Sequence, residues 1–216
     1  MTSAANQRSY HHGNLRAELL EQAVEQLRHT PAEQLSLRAV ARALGVSQTA
    51  PYRHFSGKQA LLAAIATRGY RELLQLLAAA RDTGGDSAAQ QLRLVARSYV
   101  DFAGRQEQLF KLMFGPLVQP SADHPELREV SRQTLLLVQG ILQHGMHSGE
   151  FEEQDVVYLA NASWAGIHGV ATLRIDTPGL YSKHIDLLRQ IDVAVNAFIN
   201  GIRLRDRRDP EPGQPA

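Results

Sequence analysis

The sequence predicts an all-α protein, and three features of its pattern lead to this prediction. Apolar residues recur with the 3.6-residue period of an amphipathic helix in nearly every periodic segment. No stretch alternates apolar and polar residues between turn signals, as a half-buried strand would. Glycine and proline lie between the periodic segments, where helices begin and end. We therefore expect an N-terminal three-helix unit, joined by a fourth helix to a C-terminal helical bundle.

Four helices are predicted in the first eighty residues. They begin after Asn14, at Ser36, at Ser47 and at Gly57-Lys58. The first carries one apolar stripe and ends before Pro31, which has no N–H for a helix interior. The second ends at Gly45, a position at which a left-handed glycine commonly stops a helix. The fourth runs through Leu77.

A change of composition marks the middle of the chain. The run RDTGGDSAAQ contains two glycines and little that can pack, which predicts a linker or loop with a domain boundary near it. The tail after residue 205 is charged and rich in proline, which favours disorder. Helices between these two segments are expected at about residues 86–103, 106–113, 125–149, 155–173 and 182–204.

Composition excludes several classes of protein. A chain of 216 residues can bury a core without disulfides or metals, and the absence of cysteine removes thiol chemistry and zinc–thiolate sites. The first residues are polar, and no apolar run approaches the length needed to cross a bilayer. We therefore expect a soluble, cytoplasmic protein without a membrane partner.

The net charge of +1 hides an uneven distribution. Residues 1–58 hold seven Lys/Arg against four Asp/Glu, a net charge of +3, whereas the remaining 158 residues hold 16 against 18, a net charge of −2. A basic N-terminal unit favours a polyanionic partner, although so small a difference is only supportive.

Residues 36–62, SLRAVARALGVSQTAPYRHFSGKQALL, are typical of two short helices that cross at a tight turn. Ala41 is small where the helices meet, and Gly45 permits a positive φ in the turn. Apolar residues then fill the interior: Val40, Leu44, Val46 and Phe55. Hydrogen-bonding and aromatic side chains remain on the outer face of the predicted third helix: Gln48, Thr49, Tyr52, Arg53 and His54. Such a face suits the major groove of DNA.

The run GVSQTAPYRHFSGKQALL, at its spacing from SLRAVARALG, resembles the signature of TetR-family regulators. That resemblance covers about the first sixty-five residues and implies DNA contacts at matching positions. Gln48, Thr49 and Ala50 would lie near base edges. Arg38 and Arg53 would each contact either a base or a phosphate. Phosphates would be held by Ser36, Tyr52, His54 and Lys58.

Two details of this region stay open. Pro51 lies inside the predicted recognition helix and removes an N–H. With Ser47 as the cap, Pro51 falls in the first turn of that helix, where we expect it to be tolerated. We also expect it to leave the Ser47 carbonyl without its helical partner. The arm that contains Tyr10, His11 and His12 either touches phosphates or a minor groove, or is disordered.

The run WAGIHGVATL, residues 164–173, resembles the Trp-His-Gly signature of one C-terminal domain type among TetR-like regulators. Trp164 and His168 are four residues apart and share a helix face. One interpretation is that they line a ligand cavity; the other is that they are ordinary core, with His168 bonded to a backbone carbonyl or to Tyr99. Neighbouring helices would add to the cavity Phe102, Phe110, Met113, Phe114 and Met146.

Each of the last two predicted helices has more than one apolar stripe, and packing into a single bundle would leave part of this apolar surface uncovered. A homodimer would bury the surplus and set two recognition helices roughly 34 Å apart, about one turn of DNA. The alternative is a tightly wrapped monomer, and the family resemblance favours the dimer.

The resulting expectation is a ligand-responsive repressor that binds a pseudo-palindromic operator as a dimer, with a small apolar or amphipathic effector. We expect residues 1–80 to form the DNA-binding domain and connecting helix, 81–205 the ligand-binding and dimerisation domain, and 206–216 a disordered tail. Activation in place of repression stays open.

Two other functions remain as alternatives: a constitutive or architectural DNA-binding factor, and a helical-bundle enzyme. No phosphate loop, HExxH or GxSxG motif supports an enzyme, so no catalytic residue or cofactor is assigned. His144, His147 and Glu150 have a spacing that metal ligands use, but histidines near a helix end more often interact with the helix dipole. No metal site is therefore assigned.

Overall fold

Helices form every extended regular element in residues 14–119 and 121–204, the part of the chain that this computed structural model describes, the side chain of Ala122 excepted. Nine of the elements in these residues are α-helices. Their bounds are Leu15–Leu27 (α1), Leu37–Ala43 (α2), Lys58–Thr83 (α3), Ala88–Arg105 (α4), Glu107–Phe114 (α5), Pro125–His147 (α6), Val156–Asp176 (α7), Pro178–Lys183 (α8) and Leu187–Ile202 (α9). Short 3₁₀ turns occupy Ala32–Gln34, Ala50–Arg53, Pro116–Val118 and Ser121–Asp123. The all-α prediction is confirmed.

Helix α1 packs against both α2 and α3, and α2 also packs against the 3₁₀ turn Ala50–Arg53. Their shared core is apolar and buried, and it consists of Leu19, Ala23, Leu27, Leu37, Val40, Ala41, Leu61, Leu62 and Ile65. Phe55, just before α3, is buried with them, and the Arg16 guanidinium lies 5.3 Å from the centre of its ring. The cation–π contact covers the outer face of this small core.

Helix α3 continues into the segment that was predicted as a linker, residues 81–90. Residues 81–83 are helical and residues 88–90 begin α4, so the loop between them is confined to 84–87. The apolar stripe of α3 continues through buried Leu73 and Leu77, and the left-handed Gly85 comes only after the helix has ended. The prediction of a ten-residue linker was therefore wrong in length. The division of the chain near residue 80 stays a prediction.

The C-terminal bundle is built on α3 and α4. Helix α3 packs against α4, α5 and α6, while α4 also packs against α7 and α9. Helix α5 approaches α3 closely at Gly69, where an added Cβ would lie 2.6 Å from the Met113 sulfur and 2.9 Å from a methyl carbon of Leu109. A larger residue at this point would push α5 away from α3. None of the helices in the described residues has the length and apolarity to span a membrane.

The start of α4 is held by Glu150, from the loop after α6. Its carboxylate accepts hydrogen bonds from the Ser87 hydroxyl (2.9 Å) and from the backbone N–H groups of Ala88 (2.7 Å) and Ala89 (3.0 Å). An anion at a helix N-terminus satisfies N–H groups that have no partner inside the helix.

The two histidines that the sequence analysis weighed beside Glu150 as metal ligands make separate contacts. The Nε2 of His144 donates to the Asp86 carbonyl at 2.8 Å, and the Nδ1 of His147 donates to the Gln143 carbonyl at 2.7 Å. Within the described residues, no group of three or more His, Asp or Glu side chains converges as a metal site would require.

The last predicted helix is divided in two. Helix α8 ends at Lys183, and α9 begins after Asp186, whose carboxylate accepts from the Arg189 N–H at 2.7 Å. The end of α9 then bonds to the loop after α6, because the Ile202 carbonyl accepts from the Glu152 N–H at 2.8 Å. A turn at His184 and a cap residue, Asp186, thus separate α8 from α9, in place of the single helix expected over 182–204. The predicted disordered tail, 206–216, lies outside the described residues.

Candidate functional sites

The turn between α2 and the segment that follows it has the predicted geometry. Gly45 has φ +70°, in the left-handed region. The Val46 N–H donates to the Ala41 carbonyl at 3.0 Å and the Gly45 N–H to the Arg42 carbonyl at 3.1 Å. These bonds close α2 and turn the chain sharply, as in helix ends that use a left-handed glycine.

Residues 47–55, the recognition segment, do not form the α-helix that we expected from Ser47. Residues 48–49 are a turn, and Ala50–Arg53 form a 3₁₀ helix. Pro51 has no N–H, and the bonds around it span three residues: the Ala50 N–H donates to the Ser47 carbonyl (3.0 Å), and the Tyr52 N–H to the Thr49 carbonyl (3.2 Å). As expected, Pro51 gives the Ser47 carbonyl no α-helical partner, and this carbonyl accepts from the Ala50 N–H instead.

The predicted DNA-contacting residues lie on the outside of this unit. The exposed ones are Arg38, Gln48, Thr49, Tyr52, Arg53 and His54, and the half-buried ones are Ser36, Ala50 and Lys58. Pro51 and Phe55 are buried and anchor the recognition segment to the core. Lys58 lies at the first turn of α3, where its ammonium group donates to the Glu33 carbonyl. The arm with Tyr10, His11 and His12 lies outside the described residues.

A cavity of about 300 Å³ lies in the C-terminal bundle. Its walls come from α3, α4, α6 and α7, with α5 and the following loop at one end. The lining residues are Tyr70, Leu77, Leu92, Val95, Ala96, Tyr99, Phe114, Gln119, Ser131, Thr134, Leu135, Val138, Ser163, Trp164 and Ile167. A volume of this size is within the range of small-molecule sites.

Tyr99, on the cavity wall, is the centre of a hydrogen-bond network. Trp164 Nε1–H donates to the Tyr99 hydroxyl at 3.2 Å, and that hydroxyl lies 2.8 Å from Nδ1 of His168. Because an indole N–H can only donate, the Tyr99 hydroxyl accepts from Trp164, and the same hydroxyl shares a second hydrogen bond with Nδ1 of His168. The sequence-based alternative in which His168 bonds to Tyr99 describes this contact correctly.

Burial keeps these groups uncharged. Desolvation lowers the pKa of His168 from its ordinary value of 6.5. Desolvation also raises the pKa of Tyr99 well above its usual value, and that of Tyr70 likewise. The Tyr70 hydroxyl donates to the Met113 carbonyl at 3.2 Å. Both tyrosine rings are thus held in place by bonds that need their neutral forms.

The residues predicted to bind ligand are only partly brought together. Phe114 and Trp164 line the cavity, whereas Phe110 and His168 line a separate hollow beside it, which also includes Phe114. The Phe110 and His168 rings stack there with their centres 5.3 Å apart. That either set contacts a ligand stays a prediction.

The other three predicted ligand residues lie away from the cavity wall. Phe102 follows Tyr99 by about one turn of α4 and is buried in the core beyond the end of the cavity. Met113 is buried against α3 at Gly69. Met146 lies about 12 Å along α6 from Val138, the last cavity residue of that helix.

Sequence reasoning missed the wall that α6 contributes. Its members recur at helical spacing, with two hydroxyls on the same face as two apolar residues: Ser131, Thr134, Leu135 and Val138. This mixed stripe, on a helix from which the sequence analysis named only Met146 as a cavity residue, was the available signal.

A left-handed glycine turn between two short helical segments, with an exposed polar segment after it, defines a helix-turn-helix DNA-binding protein. Residues 19–65 match the model for bacterial regulatory proteins of the tetR family, and residues 92–188 match that for the tetracyclin repressor-like C-terminal domain. The chain belongs to the TetR family of transcriptional regulators.

Three known proteins illustrate this similarity. An uncharacterised helix-turn-helix transcriptional regulator of Bacillus subtilis, YobS, is 25% identical over 174 residues, which are 80% of this chain and 84% of that protein. A Rhodococcus sp. RHA1 protein of unknown function superimposes with TM-score 0.81 and 31% identity, over 91% of this chain and 99% of that one. The B. subtilis transcriptional regulator FadR, in complex with stearoyl-CoA, shares the fold with TM-score 0.70 and 19% identity, over 87% and 99% of the two chains.

The His168 bond predicts a specific pH dependence. Because the folded state holds His168 neutral, with a pKa below 6.5, the unfolded state binds more protons between the two pKa values. The contribution of this group to stability is thus complete above pH 6.5 and is lost as the pH falls towards the folded-state pKa. We expect wild type to lose stability on acidification relative to His168→Asn, which keeps a hydrogen-bonding side chain at this position but does not titrate.

Urea unfolding of both proteins at pH values from about 8 to about 5 measures this difference. A difference in free energy of unfolding that is constant across the series would contradict the assignment.

Proposed function

We propose that this regulator is a ligand-controlled repressor, which binds a pseudo-palindromic operator as a dimer and releases it when a small molecule occupies the bundle cavity. The observation that carries the proposal is the double role of α3. Its first turns, with buried Leu61 and Ile65, form the core under the recognition segment, and its later turns supply Tyr70 and Leu77 to the cavity. Acting on operator DNA, such a regulator works in the cytoplasm.

Helix α3 gives the ligand a route to the DNA-binding unit. A molecule that pushes on Tyr70 pushes on a rigid helix whose N-terminal end determines where the recognition segment lies. Linkage then requires that the ligand bind the DNA-incompetent arrangement more tightly than the DNA-bound one.

A ligand-filled bundle is consistent with this fold. The structure of FadR, which shares the fold at 19% identity, is described as a complex with stearoyl-CoA. For the present chain the support comes from the cavity itself, because a constitutive or architectural factor has no need of a hollow of about 300 Å³ in its dimerisation bundle.

The dimer is proposed from the outer faces of α7 and α9. Residues 156–173 contain no Lys, Arg, Asp or Glu and are mostly apolar, so more than one face of α7 is apolar. Exposed large apolar side chains lie on both helices: Val157, Tyr158 and Leu173 on α7, and Leu188 and Val193 on α9. Gly166 is exposed between them, and a Cβ there would meet nothing within 4 Å, which leaves room for a partner helix. We also propose that the WAGIHGVATL segment of α7 belongs to the Trp-His-Gly domain type, and this proposal rests on the resemblance of its sequence to that signature.

The proposed phosphate contacts of Lys58 and Tyr52 can be separated by their salt dependence. Replacing a lysine that neutralises a phosphate reduces the slope of log K against log[salt] by about 0.9, whereas removing a neutral hydroxyl lowers affinity at every salt concentration. We therefore expect Lys58→Met to flatten the slope, and Tyr52→Phe to weaken binding without flattening it.

Fluorescence anisotropy with genomic DNA fragments or a selected operator measures both effects. Lys183→Met is the matched control, since Lys183 is an exposed lysine on α8, in the C-terminal half. Equal slopes for Lys58→Met and Lys183→Met would overturn the proposed contact.

The dimer interface is tested by Tyr158→Asp. Tyr158 is 77% exposed in the single chain, so a charge there leaves the monomer fold intact and disrupts only an apolar contact between copies. We expect sedimentation to show a monomer, and operator affinity to fall by about 10²-fold or more because only one half-site is held at a time.

Leu76→Asp provides the control, because Leu76 is an exposed leucine, 42% exposed, on α3, away from the α7 and α9 faces. A Tyr158→Asp variant that stays dimeric would show that this face is not the interface.

A further inference from the structure

We infer that the cavity takes an uncharged molecule about the size of two fused rings, aromatic in character and carrying one hydroxyl-type polar group. This inference rests on the proposed function, because it names the class of effector for the same cavity. Three independent features of the wall carry it: its charge, its rings and the hydrogen-bonding capacity left at one end.

The wall offers no charge to a ligand. None of its fifteen residues is Lys, Arg, His, Asp or Glu, and every lining residue lies in the described part of the chain. A carboxylate or ammonium group that entered this cavity would lose its hydration without gaining a counter-ion, which disfavours binding strongly. The structure therefore selects against ionised ligands.

Four aromatic side chains determine the shape that fits: Tyr70, Tyr99, Phe114 and Trp164. The Phe114 ring centre lies 5.4 Å from that of Tyr70 and 6.1 Å from those of Tyr99 and Trp164. Hydrogen bonds from Tyr70 to the Met113 carbonyl and from Trp164 to Tyr99 hold three of the rings in place. Fixed rings favour a flat aromatic partner that meets their faces and edges.

The volume sets the size of that partner. An apolar cavity of about 150 Å³ is known to hold one benzene ring. The cavity here, at about 300 Å³, suits a molecule with about two rings.

One end of the cavity supplies acceptors and a donor. Ser131 and Thr134 give their hydroxyl protons to the carbonyls of Arg128 (3.0 Å) and Val130 (3.2 Å), so their oxygens face a ligand as acceptors. The Gln119 carbonyl oxygen accepts from the Ser121 N–H at 3.2 Å, which leaves its amide N–H groups as donors. A hydroxyl on the ligand both donates and accepts, and so matches this mixed set.

Binding of three probes tests the inferred ligand class: naphthalene, 2-naphthol and 2-naphthoate. They share one ring system and differ in polarity and charge. Trp164 is the only tryptophan in the chain and it lines the cavity, so its fluorescence reports occupancy directly. Calorimetry on the same full-length protein, without DNA, supplies the affinities. We expect 2-naphthol to bind at least about tenfold more tightly than 2-naphthoate, with quenching of Trp164.

Thr134→Val tests the polar end, because it replaces the hydroxyl by a methyl group of similar size. We expect Thr134→Val to weaken the binding of 2-naphthol by about three- to tenfold and to leave the affinity for naphthalene unchanged. Thr83→Val is the matched control, since the Thr83 hydroxyl also bonds to the carbonyl four residues earlier, at 2.8 Å, but lies outside the cavity.

Tighter or equal binding of 2-naphthoate, or no binding of any of the three, would overturn the inference. An equal effect of Thr134→Val on naphthalene and 2-naphthol would overturn the assignment of the polar end. The proposed function is tested by a separate result. If 2-naphthol binds the protein as expected but leaves the affinity of the protein for operator unchanged, the inferred ligand class is supported and the proposed ligand control of DNA binding is contradicted.

Discussion

The structure depends on the unbroken packing of α3 along its whole length. Its first turns close the core beneath the recognition segment, and its later turns pack against α4, α5 and α6. The close approach of α5 at Gly69 adds a third contact midway, between the two ends. Because close-packed helices do not deform continuously, a displacement at one end of such a helix is transmitted as a shift of the whole element. The coupling that we propose between cavity and DNA-binding unit therefore runs through one helix rather than through a flexible linker.

The cavity wall shows how a hollow can persist in a stable bundle. Its polar groups are satisfied by one another or by backbone, as in the chain from Trp164 through Tyr99 to His168, and the described residues contain no buried side-chain polar atom without a partner. A satisfied network costs little to bury, whereas an unpaired charge in the same place would cost several kcal/mol, about the whole stability of a small domain. The same lack of charged side chains on the cavity wall is the basis on which we infer an uncharged ligand.

Much of this architecture could be predicted from the sequence, because its determinants are local. Helical periodicity located the helices, and the need for a positive φ located Gly45 in its turn. The rest depended on tertiary contacts. Pro51 converts the expected α-helix to 3₁₀ geometry through bonds that no pattern specifies, and Glu150 caps a helix that begins more than sixty residues earlier in the chain. The sequence alone could not assign the hydroxyls of α6 to a cavity, because the packing of the helices decides which face of α6 lines it.

The central claim is that this chain binds a specific, two-fold symmetric DNA sequence through the unit around its recognition segment. Selection of bound fragments from a random DNA pool by the full-length protein tests it most directly. The account predicts an enriched motif of two inverted half-sites, with centres roughly 34 Å apart or a modest excess, about one helical turn. A pool without any enriched sequence, or a single half-site without a symmetric partner, would contradict it.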